Sequence, residues 1–427
     1  MTYVVLAGMT HAGASLTTLF HRIQSPMSLS QKVNVVVLAE SEGRELQPLS
    51  AQRTKAAIPF GSKYRIIDFA LANCLHSDLR RVFVFTQYKS HSLAKHLRDG
   101  WSIYNPELGE YITIVAPQMH GGNAGYSGSA NAIYQNLFIL RRTGTEHVLI
   151  LPGDTVHRMD YEALLQRHMS TGADVTLVSK QLADGDLMRY PTVNISHNGD
   201  VESLNPEADN GDGSRLVLGI MAVRLSALEA ALETDHADSA SGHDILCDVL
   251  PTLLNNYRVH DYPFGGKSGR VTPDRYWRSL QSIDDYYQAN MDLLKSDPPL
   301  DLYQSDWTIH TYQSQSPPAR TVPGESCNEG IFINSVVAGG TVIAGGGVNN
   351  SILFSRIQVG DAVTIDNAIL FEGVEIGDRA QLCNCIVDKH VRVPADETIG
   401  FDTEKDASRF TVSDNGIVVV PRGYVFA

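Results

Sequence analysis

The chain has 427 residues, 43% of them hydrophobic, enough for two or three domains with sizeable cores. Its 34 basic and 48 acidic residues leave a formal charge of −14, and no basic patch stands out, which argues against nucleic acid or an anionic membrane as partner. The five cysteines are scattered and odd in number, no run of about 18 apolar residues occurs, and no charged leader precedes the first apolar run, so a reducing cytoplasm is expected.

Residues 1–32 read as an N-terminal extension, loosely ordered as chain ends commonly are. From 33 to 295, Val- and Ile-rich runs alternate with helical spacing. "VNVVVLA" (33–39), "RVFVFTQ" (81–87), "YITIVAP" (111–117), "HVLILPGD" (147–154) and "ADVTLVSK" (173–180) predict strands, and 65–75, 90–101 and 130–142 predict helices between them. This rhythm implies an α/β domain with a mostly parallel sheet covered on both faces, whose ligands sit at the carboxyl ends of the strands.

Residues 296–330, rich in prolines at the start, read as a linker. Beyond it, over 331–427, short aliphatic runs alternate with Gly, Asp and Asn. Ile357, Val363 and Ile369 fall six apart, as do Val359 and Ile365. A hexad of this kind predicts a parallel β-helix whose coils each bury a stack of aliphatic side chains. The open end of such a solenoid is expected to be covered by a partner, so the chain should oligomerise. Acyltransferase chemistry, which some hexad β-helices carry, is disfavoured because the repeat offers one histidine, His390.

"RTKAAIPFGSKYRIIDFALANCLHSDLRRVFVFTQYKSHSLAKHLRDGW" and "DASRFTVSDNGIVVVPRG" resemble bacterial glucose-1-phosphate adenylyltransferase, the ADP-glucose pyrophosphorylase of glycogen synthesis, and the resemblance spans roughly residues 33–425. It implies a Rossmann-like nucleotidyltransferase domain, a C-terminal left-handed β-helix, a tetramer, and transfer of adenylate from ATP to glucose 1-phosphate with Mg²⁺. Such a site must neutralise several phosphate charges and anchor the metal with carboxylates.

The family's GGxGxRL turn falls on Glu40, Ser41, Glu42, Gly43, Arg44, Glu45 and Leu46, so that only Gly43 and Leu46 match and the arginine has become Glu45. Two like charges about 4 Å apart cost roughly 1 kcal/mol in water and about 4 kcal/mol at a surface-like dielectric, so Glu45 is expected to repel triphosphate. The metal-binding aspartate of the GD pair is kept as Asp154, whereas the second falls on Ser279 of "YWRSLQS". The FVEKP glutamate and lysine fall on Leu204 and Asn205 of "ESLNP"; Pro191 replaces the sugar-contacting glycine, and Val217 replaces the serine of SMGIY. Retained are the catalytic basic pair Arg53 and Lys55, together with the substrate-binding positions Gln87, Tyr126 and Gly128.

His91, His157 and His243 lie near family motifs, but no second ligand sits at metal spacing, so they are expected to be ordinary polar residues. The family binds phosphorylated effectors between its domains, and Arg65 and Arg142 match basic residues of that site. With Mg²⁺ binding reduced to Asp154 alone, the pattern points to a catalytically impaired member. Its expected partners are copies of itself or a catalytic paralogue, in a homo- or hetero-tetramer responsive to a phosphorylated metabolite; the alternative is an active enzyme with a divergent site.

Overall fold

A computed structural model describes residues 32–118, 125–181, 190–205, 214–266, 269–271 and 276–426. Most of the predicted N-terminal extension, residues 1–31, lies outside these. The Val- and Ile-rich runs form strands: β1 (Val33–Ala39), β2 (Arg81–Thr86), β3 (Tyr111–Val115), β4 (His147–Pro152), β5 (Thr155–His157), β6 (Val175–Gln181), β7 (Thr192–Ile195), β8 (Val201–Asn205), β9 (Arg215–Arg224), β10 (Val259–Pro263) and β11 (Trp277–Ser279). Nine of them build one sheet in the order β8-β7-β9-β4-β1-β2-β3, with β6 pairing β9 and β10.

β1 is central and parallel to both neighbours, Val35 lying beside Val82 on one side and Leu149 on the other. It is covered on both faces, with Val35, Val36 and Val37 fully buried, which is why its sequence is continuously apolar rather than alternating. β9 runs antiparallel to β4 and β6 in the middle of the sheet. The turns after β1, β2 and β4 open on one edge, and they carry Glu40–Leu46, Gln87 and Asp154 respectively.

The helices include α1 (Ile67–His76), α2 (His91–Gly100), α3 (Ser129–Gln135), α4 (Leu137–Arg142), α5 (Tyr161–Thr171) and α6 (Leu225–Ala237). The single helix expected over 130–142 is interrupted at Asn136. Its Nδ2 donates to the Ala132 carbonyl at 2.8 Å and to the Tyr126 hydroxyl at 3.0 Å, a side-chain hydrogen bond that competes with the helical ladder.

The C-terminal domain is a left-handed parallel β-helix, and successive coils pair in parallel. Thr364 lies beside Gly347 in one neighbouring coil and Gln381 in the other. The hexad positions Ile357, Val359, Val363, Ile365 and Ile369 are all buried, as the period requires. Arg320–Val322, within the segment expected to be linker, already pairs in parallel with Val342–Ala344. At one corner of the coils Asn334, Asn350, Asn367 and Asn384 adopt φ of 44–50°, a left-handed turn that Asn tolerates. The Asn334 amide donates to Asn350 at 2.8 Å, and Asn350 to Asn367 at 2.6 Å, 17 residues further on.

The two domains share one apolar core. Phe354 and Phe371 of the β-helix pack edge to face 5.2 Å apart, and Phe371 meets Tyr286 of the first domain at 6.4 Å. The connecting segment is held to the first domain, because Trp307 Nε1 donates to Asn73 at 2.9 Å and the Thr311 hydroxyl to buried Asp68 at 2.6 Å.

Candidate active site

Lys55 is the hub of the sheet's carboxyl edge. Its side chain is 2% exposed, yet its ammonium donates to Glu45 Oε1 and to Asp154 Oδ2, each at 2.8 Å. Burial by itself would lower the lysine's pKa; Asp154 and Glu45 outweigh it and hold the ammonium above its ordinary value. Glu45 therefore does more than place negative charge where the family has an arginine. It takes a hydrogen bond from the very cation expected to face phosphate.

The turn is built to bring this about. Gly43 has φ +67°, and a Cβ there would lie 2.9 Å from the Lys55 Cβ, so the turn and the lysine segment are in direct apposition. The Ser50 hydroxyl donates to the Gly43 carbonyl at 2.6 Å and the Thr54 hydroxyl to the Ala39 carbonyl at 3.2 Å, which tie the two segments together. Arg44 pairs with Glu42, and its side chain points outward, 81% exposed. Loss of hydration pushes Glu40 up to about 7, with the charges of Asp154 and Asp244 adding in the same direction.

Ser279, expected at the position of a second metal carboxylate, lies in β11. β11 pairs antiparallel with β5 so that Ser279 lies beside Thr155, the neighbour of Asp154. Its hydroxyl is within 2.7 Å of both the Tyr190 hydroxyl and Gln281 Nε2. Mg²⁺ demands octahedral oxygen ligands, and here one Asp154 oxygen is committed to Lys55 while the neighbouring group is a neutral hydroxyl. Among the described residues no group of three or more His, Cys, Asp or Glu could hold a metal ion.

The remaining expected positions are distributed as follows. Gln87 Nε2 donates to the Tyr126 carbonyl at 3.1 Å and its Oε1 accepts from the Tyr126 N–H, so the two residues are locked together. Gly128 is extended, and a Cβ there would overlap the His243 carbonyl. Pro191 offers its carbonyl to the Val217 N–H at 3.0 Å, and Val217 is fully buried. Leu204 and Asn205 lie in β8 beside Val193 and Thr192.

Arg53 is not in the cluster around Lys55. Its Nη2 donates to both oxygens of Asp388 in the β-helix, at 2.7 and 2.9 Å, in a pair that is 4% and 1% exposed. His157 is buried between Thr155 and Tyr161 and held neutral, its pKa lowered by burial to about 3. His243 pairs with Asp235 at 2.8 Å, and His91 begins α2.

A cavity of about 720 Å³ lies between the domains. Arg65 lines it together with Lys63, Lys95, Arg356 and Lys389, against Asp99 and Glu372. Glu372 pairs with Arg356 and, at 3.0 Å, with Lys389. Burial lowers the pKa of Lys389 and of Arg65, Arg53 adds repulsion to both, and the acids nearby offset this only in part. The buried Arg53 Nη1 has no hydrogen-bond partner among the described residues. Arg142, expected beside Arg65, is exposed at the end of α4 and does not line the cavity. Sequence reasoning missed Lys63, Lys95, Arg356 and Lys389, which come from separate segments and carry no common motif.

Taken together, a Rossmann-like sheet with its polar cluster at the carboxyl edge, followed by a hexad β-helix, defines a two-domain nucleotidyltransferase. Residues 34–296 match the nucleotidyl transferase family, and residues 317–420 match the GlmU-like, C-terminal hexapeptide family. The chain is 50% identical over 403 residues to glucose-1-phosphate adenylyltransferase 2 of Vibrio parahaemolyticus serotype O3:K6 (strain RIMD 2210633), covering 93% of this chain and 100% of that one. It is 45% identical over 404 residues to glucose-1-phosphate adenylyltransferase 2 of Vibrio cholerae serotype O1 (strain ATCC 39315 / El Tor Inaba N16961), covering 93% and 99%. With glucose-1-phosphate adenylyltransferase of Albidiferax ferrireducens (strain ATCC BAA-621 / DSM 15236 / T118) it shares 37% identity over 395 residues, covering 90% and 93%. The chain belongs to the glucose-1-phosphate adenylyltransferase family.

Proposed function

We propose that this chain serves glycogen synthesis as a catalytically impaired member of its family, a regulatory or scaffolding subunit that assembles with a catalytic paralogue and answers to a phosphorylated metabolite. The observation that carries this reading is the closed charge triangle of Lys55, Glu45 and Asp154. An incoming triphosphate meets two carboxylates and a lysine already satisfied by both. Ser279 and Asn205 remove a metal carboxylate and a sugar-phosphate cation, and each lost ionic contact is worth about 2 to 4 kcal/mol of transition-state stabilisation. The interdomain cavity supports the regulatory half, since Arg65, Arg356 and Lys389 face a space sized for a small phosphorylated molecule.

Purified chain is expected to form ADP-glucose from ATP and glucose 1-phosphate orders of magnitude more slowly than an intact family member. Turnover within tenfold of such an enzyme, assayed side by side, would refute the proposal. The combined change Glu45→Arg, Ser279→Asp and Asn205→Lys is expected to restore part of the activity. A second reading, an active enzyme with a divergent site, is favoured by the full-length relatives at 50% identity that carry the enzyme's name. The same assay decides between them.

A further inference from the structure

The two ends of the β-helix are finished differently. At the last coil the chain closes its own interior. The helix Thr403–Ala407 and the hairpin of Thr411–Val412 with Val418–Val420 lie there, and buried Phe410 packs on Tyr424 at 4.8 Å and on Phe426 at 6.1 Å. At the first coil no such closure is present among the described residues. The strand Ile331–Ile333 pairs on one side only, with Gly347–Asn349, and all three of its side chains are exposed. Ile331 donates its N–H to the Gly346 carbonyl at 3.0 Å, and the Ile333 carbonyl accepts from the Asn350 N–H at 3.1 Å. These two residues therefore face the next coil, and Phe332 between them turns its own N–H and carbonyl to the free edge. Phe332 also heads an interior column that continues as Val348, Ile365 and Leu382, all buried, yet it is itself 48% exposed. Ile333, 61% exposed, heads an outward column whose next members are Asn349 and Asp366. The following coils thus carry polar groups where this column meets water, and the first coil carries an isoleucine.

We propose that this edge is a docking site for the amino-terminal segment of the same molecule, residues 1–31, with residues 3–7 (YVVLA) added as a further strand along Phe332 and lying over Phe332 and Ile333. Strand addition of this kind draws affinity from main-chain hydrogen bonds and specificity from the apolar side chains beneath. Three features favour this occupant. Residues 3–7 are an apolar run with two valines, the composition that a pleated, half-buried surface accepts. The segment joins the described chain at Lys32, ahead of β1, and a stretch of its length spans up to about 100 Å when extended, so the first coil is within reach. The charges are complementary as well: residues 1–31 hold Arg22 and no Asp or Glu, whereas residues 321–355 hold Glu325 and Glu329, both exposed, and no Lys or Arg.

The test is amide hydrogen exchange read at Phe332, in the full chain and in a chain lacking residues 2–27. Phe332 is expected to exchange about tenfold or more slowly in the full chain than in the shortened one, at every protein concentration, while exchange in Gly347–Asn349 is the same in both. A synthetic peptide of residues 1–27 added to the shortened chain is expected to restore the protection. Arg22→Glu in that peptide is expected to weaken its binding about threefold at low salt and less at high salt. Phe332→Asp in the shortened chain is expected to lower the affinity for the peptide about tenfold or more; should that variant not fold, Ile333→Glu, at an outward position, carries the same comparison. Equal exchange at Phe332 in the full and shortened chains overturns the proposal. If Phe332 is protected in both and the protection falls on dilution, in step with dissociation of an oligomer followed by light scattering, the edge belongs to a second copy of the chain. A peptide that binds the shortened chain without protecting Phe332, or that binds Phe332→Asp and Ile333→Glu undiminished, overturns the placement on this edge.

Discussion

At the scale of single residues, the molecule turns on which partner a buried lysine finds. The substitution at position 45 was legible in the sequence as negative charge at a phosphate position, but its capture of Lys55 was not, because the nine residues between them fold back to make the contact. The same holds for Arg53, which reads as half of a basic pair with Lys55 and instead neutralises Asp388, 335 residues away. Glu40 gives a measurable consequence. A carboxyl that titrates near 7 in the native state against 4.5 unfolded binds its proton more readily when folded. It costs no stability below the unfolded value, and the cost grows as pH rises through both and is complete above 7. Glu40→Gln is therefore expected to raise the melting temperature at pH 8, corresponding to roughly 1 to 3 kcal/mol, and to leave it unchanged at pH 4. Equal shifts at the two pH values, read by thermal unfolding, would trace the effect to packing instead of ionisation.

At the scale of elements, legibility followed burial pattern. β1, β2, β4 and β6 were marked by apolar runs because both faces of a central strand are covered, and the edge strand β3, only partly buried, by its β-branched residues. The direction of β9 was not marked, since "RLVLGIMAVR" is equally apolar whichever way it runs. The hexads located the β-helix interior residue by residue, because each coil repeats the same demand for an aliphatic side chain. Ile369→Ala, fully buried in that stack, is expected to cost about 2 to 5 kcal/mol in urea unfolding, whereas Ile331→Ala, 48% exposed on the first coil, is expected to cost under about 0.5 kcal/mol. Similar values for the two would contradict the assignment of inside and outside. The turn after β1 has a comparable weak point. Gly43→Ala combines a positive φ with a 2.9 Å approach to the Lys55 Cβ and is expected to destabilise by about 1 to 3 kcal/mol, with accelerated exchange at 40–46.

At the scale of the whole molecule, the shared core makes the two domains one cooperative unit. Phe371 packs on Phe354 within the β-helix and on Tyr286 across the boundary, beside the Arg53–Asp388 pair. Differential scanning calorimetry is expected to record one transition for the unaltered chain and two for Phe371→Ala, which removes about 3 to 5 kcal/mol of packing at the junction. None of this was visible beforehand: the linker announced itself by its prolines, but the surfaces it joins are assembled from residues more than eighty positions apart. The column of asparagines along the β-helix carries one last implication. Because each amide must sit above the next, adding or deleting a single amino acid within a turn throws every later rung out of line, while inserting an entire turn leaves the alignment intact. Length variation among proteins built this way should therefore come in complete turns of the rod, so that evolution can extend it only in whole steps.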